Sequence, residues 1–190
     1  MNKFSAQRAT IAVLAAGLAL LPIAASSAHA EPTIKKSAEK EKVHAWALTG
    51  KAGGHLPEGF GPWTGDPVSF ELEAKASDNN PASGTFAVNH IHPDGELVGD
   101  FTGTITCLAV GGDVAVATGV ISEGKVHLPD QEVQDVAGQK VSFTVQDNGK
   151  KKDTFFWQWE FVGAPINDCQ GTAPVYDPQW GDFAVSGSML

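Results

Sequence analysis

Residues 84–121 read GTFAVNHIHPDGELVGDFTGTITCLAVGGDVAVATGVI, and their pattern decides the fold. Short apolar runs of period two, rich in β-branched and aromatic residues, are cut by glycine-containing turns, the signature of antiparallel strands. Strands are predicted over 85–92, 96–110 and 113–122, forming a meander. Pro93-Asp94-Gly95 makes the first turn, and Gly111-Gly112 is a two-residue hairpin signal.

The same rhythm continues on both sides. In 68–76, Val68, Phe70, Leu72 and Ala74 face one way and Ser69, Glu71, Glu73 and Lys75 the other. One face of that strand is therefore wet, as in antiparallel sheets. Further strands are predicted over 43–49, 140–146, 154–162 and 180–186. Phe155, Trp157, Trp159 and Phe161 share one face of the strand over 154–162. Between the strands lie a Gly/Pro-rich loop over 50–67 with His55 and Trp63, and a polar turn over 77–83. A polar connection over 123–139, an Asp147-Asn148-Gly149 turn and a proline-rich loop over 163–179 complete the chain. No helical period is sustained. The expectation is an all-β domain over 43–190, a single antiparallel β-barrel of about eight strands, with a two-sheet sandwich as the alternative.

Residues 1–30 have the form of a secretory signal peptide: Lys3 and Arg8, an apolar stretch over 11–23, and Ala28-His29-Ala30 at the cleavage point. The apolar stretch is too short for a retained membrane span. Residues 31–42 form a charged tether, and the mature chain is expected to begin at Glu31, outside the cytoplasm. Of 13 basic residues, Lys3 and Arg8 leave with the signal, so 11 lysines face 22 acids and the formal charge becomes −11. Without arginine the chain lacks the planar fork that grips phosphate, which argues against nucleic acid and anionic membranes as partners. Two cysteines, Cys107 and Cys169, predict one disulfide in an exported chain.

Candidate chemistry centres on the histidines. His90 and His92 lie on one strand face, roughly 7 Å apart at Cα, and the turn that follows can bring Glu96 beside them. Two imidazoles and a carboxylate suit a divalent transition metal such as zinc, manganese, iron or copper. The structural alternative is a polar strand end hydrogen-bonded to a turn. Asp147, Asn148 and Asp153 offer oxygens for calcium, but Lys150, Lys151 and Lys152 oppose a cation, and a hairpin turn is the simpler reading. Of the five tryptophans, Trp157 and Trp159 read as inner-face residues, whereas Trp63 is the candidate ligand or sugar contact. No nucleophile elbow, His-Glu-x-x-His pair or phosphate loop is present.

Two resemblances follow. Gly84, His90, His92, Glu96 and Gly103 fall on each position of the first cupin motif. The second motif is matched only at Gly124 and His127, with Ser122 and Val116 in place of its proline and leading glycine. The resemblance implies a double-stranded β-helix, His127 as fourth ligand and a metal-dependent enzyme. The stretch from Cys107 through Asp153 is also similar to a family of small secreted bacterial β-domains of unknown function, some labelled repetin-like. Cys107, Leu108, Val110, Gly112, Ala115, Gly119, Asp147, Asn148, Gly149 and Asp153 carry that likeness, and Cys169 completes the cysteine pair. It implies a compact barrel or sandwich without an established reaction. The expected function is non-enzymatic binding of a small molecule, a glycan, an envelope component or a protein, and the alternative is the cupin-like enzyme.

Overall fold

The computed structural model describes residues 42–187 and 189. The expected signal peptide and all of the tether except Lys42 lie outside the described residues. The domain consists of β1 (Ala45–His55), β2 (Pro67–Ser77), β3 (Asn80–Ile91), β4 (Leu97–Gly111), β5 (Val114–Val126), β6 (Gln134–Asp135), β7 (Lys140–Gln146), β8 (Thr154–Trp159) and β9 (Trp180–Ser186). The chain is all-β, as its periodicity predicts. One antiparallel sheet runs in the order β8-β7-β5-β4-β3-β2-β1-β9 and curls into a half-barrel, with β6 paired to the end of β5. Among the described residues no helix is long and apolar enough to cross a membrane.

Neighbours in this meander are nearly all neighbours in sequence. The double-stranded β-helix implied by the cupin resemblance needs Greek-key exchanges instead. Strands β7 and β9 occupy the residues expected of them. β2 and β4 differ by a residue at their ends, β3 starts at Asn80 within the expected polar turn, and the short β6 is not among the expected strands. Another three differ for identifiable reasons. β5 runs through the expected polar connection to Val126 because Ser122 is bulged, which keeps Val126 facing inward. β8 ends at Trp159 in a 3₁₀ turn stopped by Gly163 at φ 86°. β1 continues through Gly50, Gly53 and Gly54, residues read from sequence as loop. Side chains would collide there: Gly50 lies under Phe183, and Gly53 under Trp180.

Curvature comes from bulges and small residues. Register shifts at Val98, Ser122 and Thr106 bend β4 and β5, as extra residues in one strand do. The Phe86 ring covers Gly103 and Gly119, where a Cβ would strike it. Gly103, a position of the cupin resemblance, thus serves with Gly119 as a seat for an aromatic ring in a tightly curled sheet.

The curl brings β8 across the interior onto β2 and β4. Phe70 meets Phe155 at 4.8 Å and Trp157 at 4.4 Å, and Phe101 meets Trp159 at 5.1 Å edge-on. Phe70, Phe143, Phe155 and Phe183 are essentially inaccessible to water. Burying each contributes roughly 1.5–3 kcal/mol relative to exposure. At one end Trp46 fills the interior and its indole donates to the Leu108 carbonyl oxygen at 2.9 Å.

Edge strands β8 and β9 are not joined by a ladder. Asp153 Oδ2 instead accepts from Phe183 N at 2.7 Å, and Asp147 Oδ2 accepts from Val185 N at 3.0 Å. The other oxygens of the two carboxylates accept from Asn148 N and Gly149 N. These acids therefore clasp the sheet edges, with every oxygen already engaged by an amide. Residues 163–179 cross the outer face of the sheet, held by the Cys107–Cys169 disulfide and by Ser142 Oγ, which donates to Gln170 O at 2.7 Å. They then pair Tyr176 with Phe155 along the β8 edge.

Asp153→Ala is expected to lower stability by about 3 kcal/mol, because two amides lose a charged acceptor and the Phe183 N–H is buried without one. Asp153→Asn, which keeps one oxygen, should lose less in urea unfolding. A hydrogen bond to Asp153, with the charges of Asp153 and Asp147, pushes the Asp182 carboxyl above 3.8. A raised folded-state pKa favours the protonated acid, so its stabilisation is full below pH 3.8 and is lost as pH rises from there through the higher folded-state pKa. Asp182→Asn should accordingly raise Tm at neutral pH, with the difference fading under acid conditions.

Candidate functional site

The site is built by the loop over 56–66 and the adjoining ends of β2 and β3. Pro57, Gly59, Gly61, Pro62 and Gly65 prevent regular structure in the loop, but its base continues the β1–β2 hairpin. Leu56 N donates to Asp66 O at 2.9 Å and Gly65 N to Leu56 O at 2.7 Å. Between them a 3₁₀ turn at Gly61–Trp63 rolls Phe60 and Trp63 onto the core. Phe60 stacks with Trp157 at 5.8 Å, and Trp63 stands edge-on to the His90 ring at 6.3 Å.

Asp66 is 2 % exposed, and both histidines converge on its carboxylate. His90 Nε2 donates to Oδ2 at 2.8 Å and His92 Nδ1 donates to Oδ1 at 3.1 Å. Period two accounts for the two rings reaching the same side, and the pairing of Val68 with His90 places Asp66 level with His92. An ionised carboxylate only accepts, so the two facing ring nitrogens carry protons. Burial pulls the His90 pKa below 6.5, opposed by its hydrogen bond to Asp66 and that group's charge. His90 is therefore neutral at neutral pH, with Nε2 protonated and Nδ1 left as an acceptor.

The expected metal set is not brought together. His90 and His92 are adjacent, as expected, but one nitrogen of each ring is engaged by Asp66. Glu96 is exposed, and it meets His92 through the backbone, where His92 N donates to Glu96 O at 2.8 Å. His127 follows the last residue of β5 and is exposed. Among the described residues, no group of three or more His, Cys, Asp or Glu side chains is arranged to hold a metal ion. The donor set that the cupin resemblance implies does not fit this geometry.

Trp63, expected as an exposed contact, is half-buried and lines a cavity at the open end of the half-barrel. The cavity measures about 310 Å³. Its walls are aromatic and aliphatic: Phe60 and Trp63 from the loop, Phe70 from β2, Phe101 from β4, Trp157 and Trp159 from β8. His90 is the one ionisable residue in its lining. Sequence reasoning found His90 and Trp63 but missed Asp66 and Phe60; the Gly-Asp-Pro at 65–67 was the available signal for Asp66. Compared with family models, with curated proteins and with solved structures, the chain matches none of them.

Removing Asp66 removes what holds the His90 value up while its burial persists. In Asp66→Ala the His90 pKa should therefore fall further below 6.5, a shift that an NMR titration of the imidazole resonances reads directly.

Proposed function

We propose that the protein is an exported binding module that holds a small apolar molecule in the open end of its half-barrel. One observation carries the reading: a cavity of about 310 Å³ whose lining is mainly aromatic and aliphatic, with one imidazole and one amide side chain, Gln158. Ligand sites are concave, mainly apolar and furnished with few polar groups, and barrel mouths are a common place for them. Water gains little from such walls, so an apolar occupant that replaces it is favoured by the area it buries. Aromatic rings packed against one another hold the space open. Trp157 is braced by Phe60, Phe70 and Tyr176, so it cannot collapse inward without breaking several contacts.

Export is supported by the form of residues 1–30 and by the disulfide, which persists in oxidising compartments. A sugar platform is less favoured because Trp63 is half-buried and packs on the core. Binding needs no nucleophile and no metal, in keeping with a non-enzymatic role.

The neutral fluorophore N-phenyl-1-naphthylamine is expected to bind at one site per chain with a dissociation constant on the order of 100 µM or tighter. Ala164→Trp, which adds a bulky ring to the cavity lining, should abolish the fluorescence gain with the fold intact by circular dichroism. Absence of any gain in the unaltered protein would overturn the proposal.

A further inference from the structure

The aromatic walls carry polar atoms of two kinds. The indoles of Trp63, Trp157 and Trp159 can only donate. Gln158 also lines the cavity, but it alternates with Trp157 and Trp159 along β8 and no buried partner fixes its amide. His90 is different. Its Nε2 is committed to Asp66, a buried carboxylate that fixes the tautomer, and its Nδ1 has no hydrogen-bond partner among the described residues. The imidazole is sunk into the wall, 16 % exposed, with the Trp63 ring at a steep angle to it, centroids 6.3 Å apart. Asp66 and His92 are the titratable groups packed on it. Among the lining side chains, His90 thus offers the one acceptor whose orientation a buried partner fixes.

We infer that the cavity selects a flat apolar molecule bearing one hydroxyl of the phenol class, which donates to His90 Nδ1. This rests on the binding function proposed above and adds the ligand's chemistry to it. The hydroxyl oxygen can accept in turn from an indole N–H, while the ring body stacks among the aromatic side chains. A hydrocarbon of the same shape fills the space but leaves Nδ1 without a partner. An ether in place of the hydroxyl brings a second acceptor against the first.

Three ligands of common shape separate these cases: naphthalene, 2-naphthol and 2-methoxynaphthalene, each measured by displacement of N-phenyl-1-naphthylamine. At pH 7.5 2-naphthol is expected to bind about tenfold more tightly than either of the others, the worth of one net hydrogen bond. Acidification through the His90 pKa, which lies below 6.5, converts Nδ1 from acceptor to donor. 2-Methoxynaphthalene should then gain on naphthalene and approach 2-naphthol. In His90→Phe the preference should collapse to within about twofold while naphthalene is retained. Equal binding of all three at pH 7.5, with the fluorophore bound, would overturn this inference and leave the binding function standing. A protein that binds none of the four compounds would sink both. The pH series on the unaltered protein keeps the test decisive where His90→Phe fails to fold.

Discussion

Two carboxylates close this fold. A curled sheet of eight strands must end in two edges, and here Asp147 and Asp153 span the gap by accepting amide protons from β9. The arrangement replaces a ladder with charged acceptors, each oxygen satisfied by the backbone. Such a clasp fixes where β8 stands relative to β9, and β8 carries the rings that fill the interior. Phe155 touches Phe70, Tyr176 and Phe183 only because the edges are held at this separation. The clasp also accounts for an Asp-Asn-Gly stretch that resembles a cation loop and behaves as a fastening.

Bulges and glycines let the sheet bend far enough for the clasp to reach. The bulge at Val98 has a second effect, since it turns both Val98 and Gly99 toward the cavity beside His90. A glycine there leaves room that a side chain would fill. Asp66 ties the base of the loop to β3 through both histidines, and the same loop supplies Phe60 and Trp63 to the cavity wall. One carboxylate therefore sets the tautomer of His90 and anchors the wall around it.

Much of this was legible in the primary structure. Period-two alternation located most of the strands, and two cysteines gave the disulfide. The shared face of His90 and His92 followed from strand geometry alone. Their partner did not. Continued without interruption, the pairing of Ser77 with Asn80 would set Asp66 opposite Ile91; the irregularity between Lys75 and Ser77 moves it opposite His92. A single extra residue in a hairpin, invisible to periodicity, thus determines what the histidines bind. β1 was read short because glycine counts as a breaker, whereas here Gly50 and Gly53 make room for Phe183 and Trp180 on the neighbouring strand.

The meander has a kinetic consequence. Strand β1 lies between β2, its neighbour in sequence, and β9, the last strand of the chain. Local hairpins can form as soon as their residues are made, but β1 keeps an open edge until β9 arrives, and such late, distant pairings slow folding. Both cysteines precede β9, so the disulfide can fasten residues 163–179 to the sheet before that edge is covered. Until β9 docks, the bare edge of β1 is the one that the C-terminal strand and the edge of a neighbouring chain can compete for.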